Sequence, residues 1–256
     1  MRLFTVSDIH IDYKENRDWL KNISSEDYLE DVLCLAGDIS HHFKDIEWCF
    51  QRLQKKFHSV IFIEGNHDIW FTREKHRNSI DKLNMIYQLA EDTGIQTGTV
   101  EFAAFKLVAI SGWYDYSFGQ PQEMILKRWG DFKYCKWPAG MNHDGIVEFF
   151  KKRNQEPTGD VSKFIVTYSH FMPRIDLLPM YLRTKQYPYS AVLGGRFIEE
   201  TLRKHRPMVH IYGHSHINVE KKKDSVLYVN NALGYPSESQ YTRRTLYEIP
   251  VSMNHS

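Results

Sequence analysis

The chain has 256 residues, 42% of them hydrophobic and 14% aromatic, with 33 basic side chains against 32 acidic ones. That length can bury a sizeable core without disulfide staples, and that aromatic share excludes a disordered chain. A net charge of +1 argues against a sequence-independent grip on nucleic acid or an anionic bilayer, while leaving a nucleotide substrate open.

Cys34, Cys49 and Cys135 are odd in number and form no Cys-x-x-Cys pair, which argues against a disulfide framework or a thiolate zinc site. Asp8 interrupts the apolar start before a signal-peptide core or membrane span can form, so a soluble cytoplasmic protein is expected. The unusual residue is histidine, with 13 copies.

In chain order, short apolar runs occur at Leu3 to Val6, Val32 to Leu35, Val60 to Ile63, Leu107 to Ile110, Phe164 to Thr167 and Met208 to Ile211. Runs of this length suit strands buried on both faces. Between them, Ile46, Phe50, Leu53 and Phe57 mark one helical face, and Ile80, Leu83, Tyr87 and Ala90 mark another. The alternation predicts a single α/β layered domain over residues 1–256.

Residues 112–143 hold Trp113, Tyr114, Tyr116, Trp129, Tyr134 and Trp137 without a regular period. They are expected to form a functional loop or lid bordering the site. Near the end, Asn218 to Glu220 and Val226 to Val229 predict a hairpin, with Lys221 to Ser225 as its solvated turn. A further strand is expected around Thr245 to Tyr247.

Five segments place metal-binding side chains just after an apolar run: Asp8-Ile9-His10, Gly37-Asp38, Gly65-Asn66-His67-Asp68, Ser169-His170 and Gly213-His214-Ser215-His216. Singly they read as turns and caps. In a parallel sheet, however, the carboxyl ends of strands share one edge, so groups more than two hundred residues apart would meet in one crevice. Alternate residues of an extended segment face the same way, which lets His214 and His216 reach one metal cluster. Carboxylates, an amide oxygen and imidazoles without thiolate suit Mn, Fe or Zn. So many donors suit two ions sharing a carboxylate, an arrangement used to hydrolyse phosphate esters.

These blocks, D-x-H, G-D, G-N-H-D, a lone H and G-H-x-H in that order, resemble the calcineurin-like metallophosphoesterase superfamily over most of the chain. The resemblance implies a four-layer α-β-β-α sandwich with two central mixed sheets and two divalent or trivalent ions at their carboxyl edge. It implies Asp8, His10 and His216 at one ion, Asn66, His170 and His214 at the other, and Asp38 bridging them. It also implies that a metal-bridging hydroxide attacks phosphorus, while His67 faces the phosphate and assists the leaving group.

The chain departs from the family pattern at Tyr168-Ser169-His170-Phe171. Gly37-Asp38-Ile39-Ser40 replaces the G-D-x-x-D-R-G block of protein Ser/Thr phosphatases, which weakens that assignment.

Asp68 is expected either to orient a neighbouring ligand or to cap a turn. Arg174 is a candidate for a phosphate oxygen, a solvated arginine being the alternative. Trp113 and Tyr114 are candidates to stack on substrate, core packing being the alternative. Trp129 and Trp137 are expected to pin the long loop. His41 and His42 read as a helix start with exposed imidazoles, or as part of the site rim. His58, His76, His143, His205, His210 and His255 read as surface or satisfied core.

The expected activity is hydrolysis of a small phosphomonoester or phosphodiester, nucleotides included. A catalytically inactive binding scaffold and a nuclease are the alternatives, and the charge balance argues against extended nucleic-acid binding. Nothing in the sequence marks an oligomeric state.

Overall fold

A computed structural model describes residues 1–71, 77–157, 163–183 and 187–251. His76 and His255 lie outside the described residues. The first half runs β1 (Leu3–Val6), α1 (Lys14–Asn22), β2 (Val32–Leu35), α2 (Phe43–Leu53), β3 (Ser59–Phe62), α3 (Ser79–Asp92), β4 (Gln96–Thr97), β5 (Thr99–Glu101) and β6 (Phe105–Ala109). The second runs α4 (Glu123–Arg128), α5 (Gly130–Tyr134), α6 (His143–Lys152), β7 (Phe164–Tyr168), α7 (Arg196–Lys204), β8 (Val209–Tyr212), β9 (Val219–Lys223), β10 (Val226–Asn230) and β11 (Tyr247–Ile249).

Two sheets form, in the orders β11-β1-β2-β3-β4 and β5-β6-β7-β8-β10-β9. β1 to β4 are parallel neighbours, with β11 antiparallel on β1. β6, β7, β8 and β10 are parallel, with β5 and β9 antiparallel at the edges. Both sheets are therefore mixed.

The strand period of two explains why the runs are apolar throughout. In β1 and β2, Phe4, Val6, Leu33 and Leu35 face one way and pack with Leu20 of α1, Phe50 of α2 and Ile86 of α3. Leu3, Val32 and Cys34 face the other way and meet Leu107, Val166, Ile211 and Val229 of the second sheet. On that sheet's outer face, Val108, Tyr212 and Tyr228 pack with Phe150 of α6 and Ile198 and Leu202 of α7. Helices, sheet, sheet and helices make four layers. Each fully buried Leu, Ile, Val or Phe contributes about 1.5–3 kcal/mol, so both faces of each sheet are held strongly.

Phe57 lies beyond α2 but is buried in the same core. The lysine run differs from its expected role as a turn: Lys221, Lys222 and Lys223 belong to strand β9, and the turn narrows to Asp224 and Ser225, both left-handed at φ 45° and 72°. β9 is an edge strand, where lysines discourage pairing with another chain. Residues 112–143 contain α4 and α5 rather than uninterrupted loop. No helix among the described residues is long and apolar enough to cross a membrane.

Candidate metal centre

Strands β1, β2, β3, β7 and β8 each end just before one of the five blocks, and a parallel bridge between Ser7 and Ala232 joins the two sheets at that edge. Asp8, His10, Asp38, His214 and His216 all adopt left-handed backbone, at φ 51°, 35°, 56°, 67° and 50°. Such a conformation costs a non-glycine residue about 1–3 kcal/mol and persists where neighbours enforce it. Here the Asp8 and His10 amides donate to Gly37 O and Asp38 O, and the His214 amide donates to both Asp8 carboxylate oxygens. The turns point side chains inward that a continuing strand would turn away.

Two groups of donors result. Asp8, His10 and His216 form one, with His10 Nε2 3.1 Å from His216 Nε2, and His216 Nε2 3.3 Å from Asp8 Oδ1. Asp38, His170 and His214 form the other, with His170 Nε2 3.5 Å from Asp38 Oδ2 and 3.2 Å from His214 Nδ1. Asn66 Oδ1 joins it, 3.1 Å from His170 Nε2. Asp38 Oδ2 also lies 3.9 Å from His10 Nε2, so this carboxylate touches both groups. His67 has a ring nitrogen within 4.8 Å of the donors of His10 and Asp38.

The tautomers can be read from outer partners. His170 Nδ1 lies 2.8 Å from Ala36 O, and His214 Nε2 lies 2.9 Å from Val192 O. Both carbonyls require an N–H, so the inward-facing nitrogens of neutral rings present lone pairs to each other at 3.2 Å. A proton held between the two nitrogens, or a cation bound by both, relieves that arrangement, and the oxygen and nitrogen donor set fits a borderline transition metal. His216 Nδ1 lies 2.7 Å from Glu238 Oε2, leaving Nε2 inward.

Without a metal, the buried carboxylates divide the imidazoles into two kinds, protonated and neutral. Burial works against charge on His170 and His216, yet the Asp38 carboxylate raises the first to about 9, and Asp8 and Glu238 raise the second to about 10. Burial and neighbouring imidazoles push His10 and His214 down to about 3. Asp8, despite burial, is held at about 2 by His216 and His170.

Close approach dictates two glycines. A Cβ on Gly65 would stand 2.1 Å from Asp38 Oδ1, and one on Gly37 would stand 2.6 Å from His170 Nδ1. Asp68 is buried and accepts from the amides of Asp38, Ile39, Ser40 and Gly65 at 2.9, 2.7, 3.2 and 2.8 Å. It ties the loops after β2 and β3 together and thereby sets the position of Asp38.

His67 donates its amide to Asp38 Oδ1 at 2.8 Å, and its ring stacks on Trp70 with centroids 3.6 Å apart. A cleft of about 300 Å³ opens over the two groups, walled in part by His67, Trp129, Tyr187, Tyr189, Leu193 and Tyr235.

Several expected residues are elsewhere. Arg174 is engaged by Asp176, Glu199 and Asp224 at 2.9, 3.4 and 2.5 Å, a carboxylate cluster that occupies the guanidinium away from the cleft. Trp113 and Tyr114 are each 2% exposed. They lie behind the site, against Phe171, which packs on His214. Trp137 does pin the loop, edge-on to Trp113, whereas Trp129 lines the cleft with its ring 5.8 Å from His214. His42 precedes α2 and is exposed, while His41 Nδ1 lies 3.0 Å from Asp12 Oδ1. His210 is satisfied core, between Thr167 and Ser169.

Sequence reasoning passed over Asp131, Tyr235 and Glu238. Buried Asp131 accepts from Asn66 Nδ2 at 2.8 Å, Trp70 Nε1 at 2.6 Å and Trp129 Nε1 at 2.8 Å. Holding the amide nitrogen of Asn66 aims its oxygen at His170. An acid two residues after Trp129, in a segment without a regular period, was the one available signal; Tyr235 stands in an ordinary Gly-Tyr-Pro turn and Glu238 in the single helical turn Pro236–Glu238 that follows it.

A sequence model of the calcineurin-like phosphoesterases matches residues 1–218. The chain is 22% identical to [acyl-carrier-protein] phosphodiesterase PptH of Mycobacterium tuberculosis, over 96% of this chain and 81% of that protein. The crystal structure of that phosphopantetheinyl hydrolase superposes with a TM-score of 0.77 at 20% identity, covering 100% of this chain and 98% of the other. TT1561 of Thermus thermophilus has the same fold at a TM-score of 0.53 and 13% identity, covering 98% of this chain and 99% of the other. Matched over most of its length, with its five blocks gathered where the carboxyl ends of two sheets meet rather than along one sheet as the sequence suggested, the chain belongs to the calcineurin-like phosphoesterases, hydrolases acting on phosphoester bonds.

Proposed function

We propose that this chain is a metal-dependent phosphodiesterase, with Asp8, His10 and His216 holding one ion, Asn66, His170 and His214 the other, and Asp38 shared. The observation that carries this reading is the pair of donor groups meeting at one buried carboxylate. Mn, Fe and Zn are the metals whose chemistry suits the donors. When bound, such ions supply Lewis acidity toward phosphate oxygens and acidify a water into a nucleophile near neutral pH.

The protein's own groups do the rest. Asp68 and the glycines at 37 and 65 hold Asp38 in place, and the carbonyls of Ala36 and Val192 fix which imidazole nitrogens face inward. Asp131 fixes Asn66. His67, set on the cleft side of Asp38 and stacked on Trp70, faces the phosphate and assists the departing oxygen, a contribution of typically 10²–10⁴-fold in rate. Segment 112–143 borders this site through Trp129 and Asp131.

The rings of Trp129, Tyr187, Tyr189 and Tyr235 suit the organic arms on either side of a diester phosphorus. The phosphodiesterase activity of the mycobacterial relative lies in the same class. A nucleotide arm would stack on these rings as well, and a cytoplasmic site of action accords with the free cysteines Cys34, Cys49 and Cys135.

The test compares bis-p-nitrophenyl phosphate, p-nitrophenyl phosphate and a phosphopantetheinylated carrier protein, using metal-free protein and protein reloaded with Mn²⁺, Fe²⁺ or Zn²⁺. Turnover is expected only with metal and preferentially on diesters. His67→Ala is expected to keep both ions and lose most turnover, and Asp38→Asn to lose metal. Equal diester turnover with and without metal would refute the reading. Full metal content with no turnover of any ester would leave a binding scaffold in its place.

A further inference from the structure

The family match ends at residue 218, yet the turn after β10 supplies two groups to the centre. That turn is fastened to the loop bearing Asp8: Leu233 and Gly234 donate their amides to Ser7 O and Asp8 O, and Asn16 Nδ2 donates to Gly234 O at 2.9 Å. Gly234 has φ +70°, and a Cβ there would stand 2.8 Å from Glu238 Oε2. The Glu238 oxygen accepts from the Tyr235 amide at 2.8 Å and lies 2.7 Å from His216 Nδ1, so the same carboxylate holds a candidate ligand and the main chain of Tyr235.

The Tyr235 ring lies 4.6 Å from that of His10 and 4.8 Å from that of His216. Its hydroxyl reaches across the centre to within 3.4 Å of His67 Nε2. That distance is at the long end for a hydrogen bond, as such contacts often are before substrate arrives. Stacking on Trp70 sets the plane of the His67 ring but leaves open a 180° flip about χ2, which keeps that plane and exchanges the two ring edges. A hydroxyl at Nε2 selects one edge.

We propose that Tyr235 is a positioning residue for His67, its hydroxyl fixing which edge of the imidazole faces the cleft. This rests on the role given to His67 above. Tyr235→Phe keeps the ring between His10 and His216 and removes only the hydroxyl. Loss of orientation is worth up to about 10²-fold in rate for a misplacement of about 1 Å.

The experiment measures kcat and KM of Mn²⁺-loaded wild type, Tyr235→Phe, His67→Ala and the double variant, with methyl phenyl phosphate, whose phenolate needs help to leave. Metal content is measured alongside. Tyr235→Phe is expected to keep both ions, to lose about 10- to 100-fold in kcat with KM within about twofold, and to add no loss in the His67→Ala background. A kcat within about twofold of wild type, an equal loss in both backgrounds, or loss of metal from Tyr235→Phe would overturn the proposal. Wild-type turnover by His67→Ala would instead refute the role of His67, on which the proposal depends.

Discussion

Asp131→Asn is nearly isosteric and removes one charge from the support of the centre. Asp131 Oδ1 receives two N–H groups, from Asn66 and Trp70, and Oδ2 receives one from Trp129. A carboxamide offers one oxygen and one NH₂, so at least one buried donor must face another donor, at a cost of about 1–3 kcal/mol. The bonds that remain pass from a charged to a neutral acceptor, a loss of about 1 kcal/mol each. Burial raises the Asp131 carboxyl, with Trp70 and Asn66 pulling against it, so relief of the buried charge returns part of this. A net loss of about 2 kcal/mol is expected, a fall of roughly 4–8 °C in Tm for a chain of this size.

The consequence for the site is selective. Asn66 loses the partner that orients its amide, and loss of such an outer partner typically weakens metal affinity or activity by about 10–100-fold. Titration against a fluorescent chelator is expected to show one weakened equivalent, that of Asn66, His170 and His214, with the Asp8, His10 and His216 equivalent unchanged. Two equivalents of unaltered affinity, together with an unaltered melting curve, would refute the reasoning.

Other expectations follow from particular contacts. Gly65→Ala would press a methyl onto Asp38 Oδ1, so metal binding and turnover are expected to fall together, as metal analysis of the purified variant would show. Arg174→Ala is expected to leave kcat/KM for diesters unchanged within about twofold and to cost at most about 1 kcal/mol in urea unfolding, since its partners are partly solvated carboxylates. Asp176, despite burial, is held at about 2 by Arg174 and Lys223. A depressed carboxylate stabilises the fold above its unfolded pKa of about 3.9 and ceases to as pH falls through the folded value. The stability difference between wild type and Asp176→Asn is therefore expected to be present at pH 5–7, below about 1 kcal/mol after screening, and to vanish between about pH 4 and 2.

The strands and the helix faces were legible because burial on both sides of a sheet leaves little room for polar side chains in β1, β2, β3 and β8. The lysine run misled because an edge strand, solvated on one side, has the composition of a turn. Arg174, Trp113 and Tyr114 follow strand ends as the candidate ligands do. Proximity in sequence does not decide whether a side chain finds carboxylates, a core or the cleft.

From the sequence alone came the fold class and the identity of the candidate ligands, because five blocks of donors stand at the carboxyl ends of five strands; the one shared edge expected for them is two, with β1, β2 and β3 in one sheet and β7 and β8 in the other. Tertiary structure decided that the edges of two sheets meet to bring the donors together, which nitrogen of each imidazole faces inward, and that Asp131, Tyr235 and Glu238 attend the centre. The physical reason is range. Strand burial and turn chemistry act between neighbours along the chain and leave a pattern there. A hydrogen bond between Tyr235 and His67, 168 residues apart, exists only once both sheets have packed.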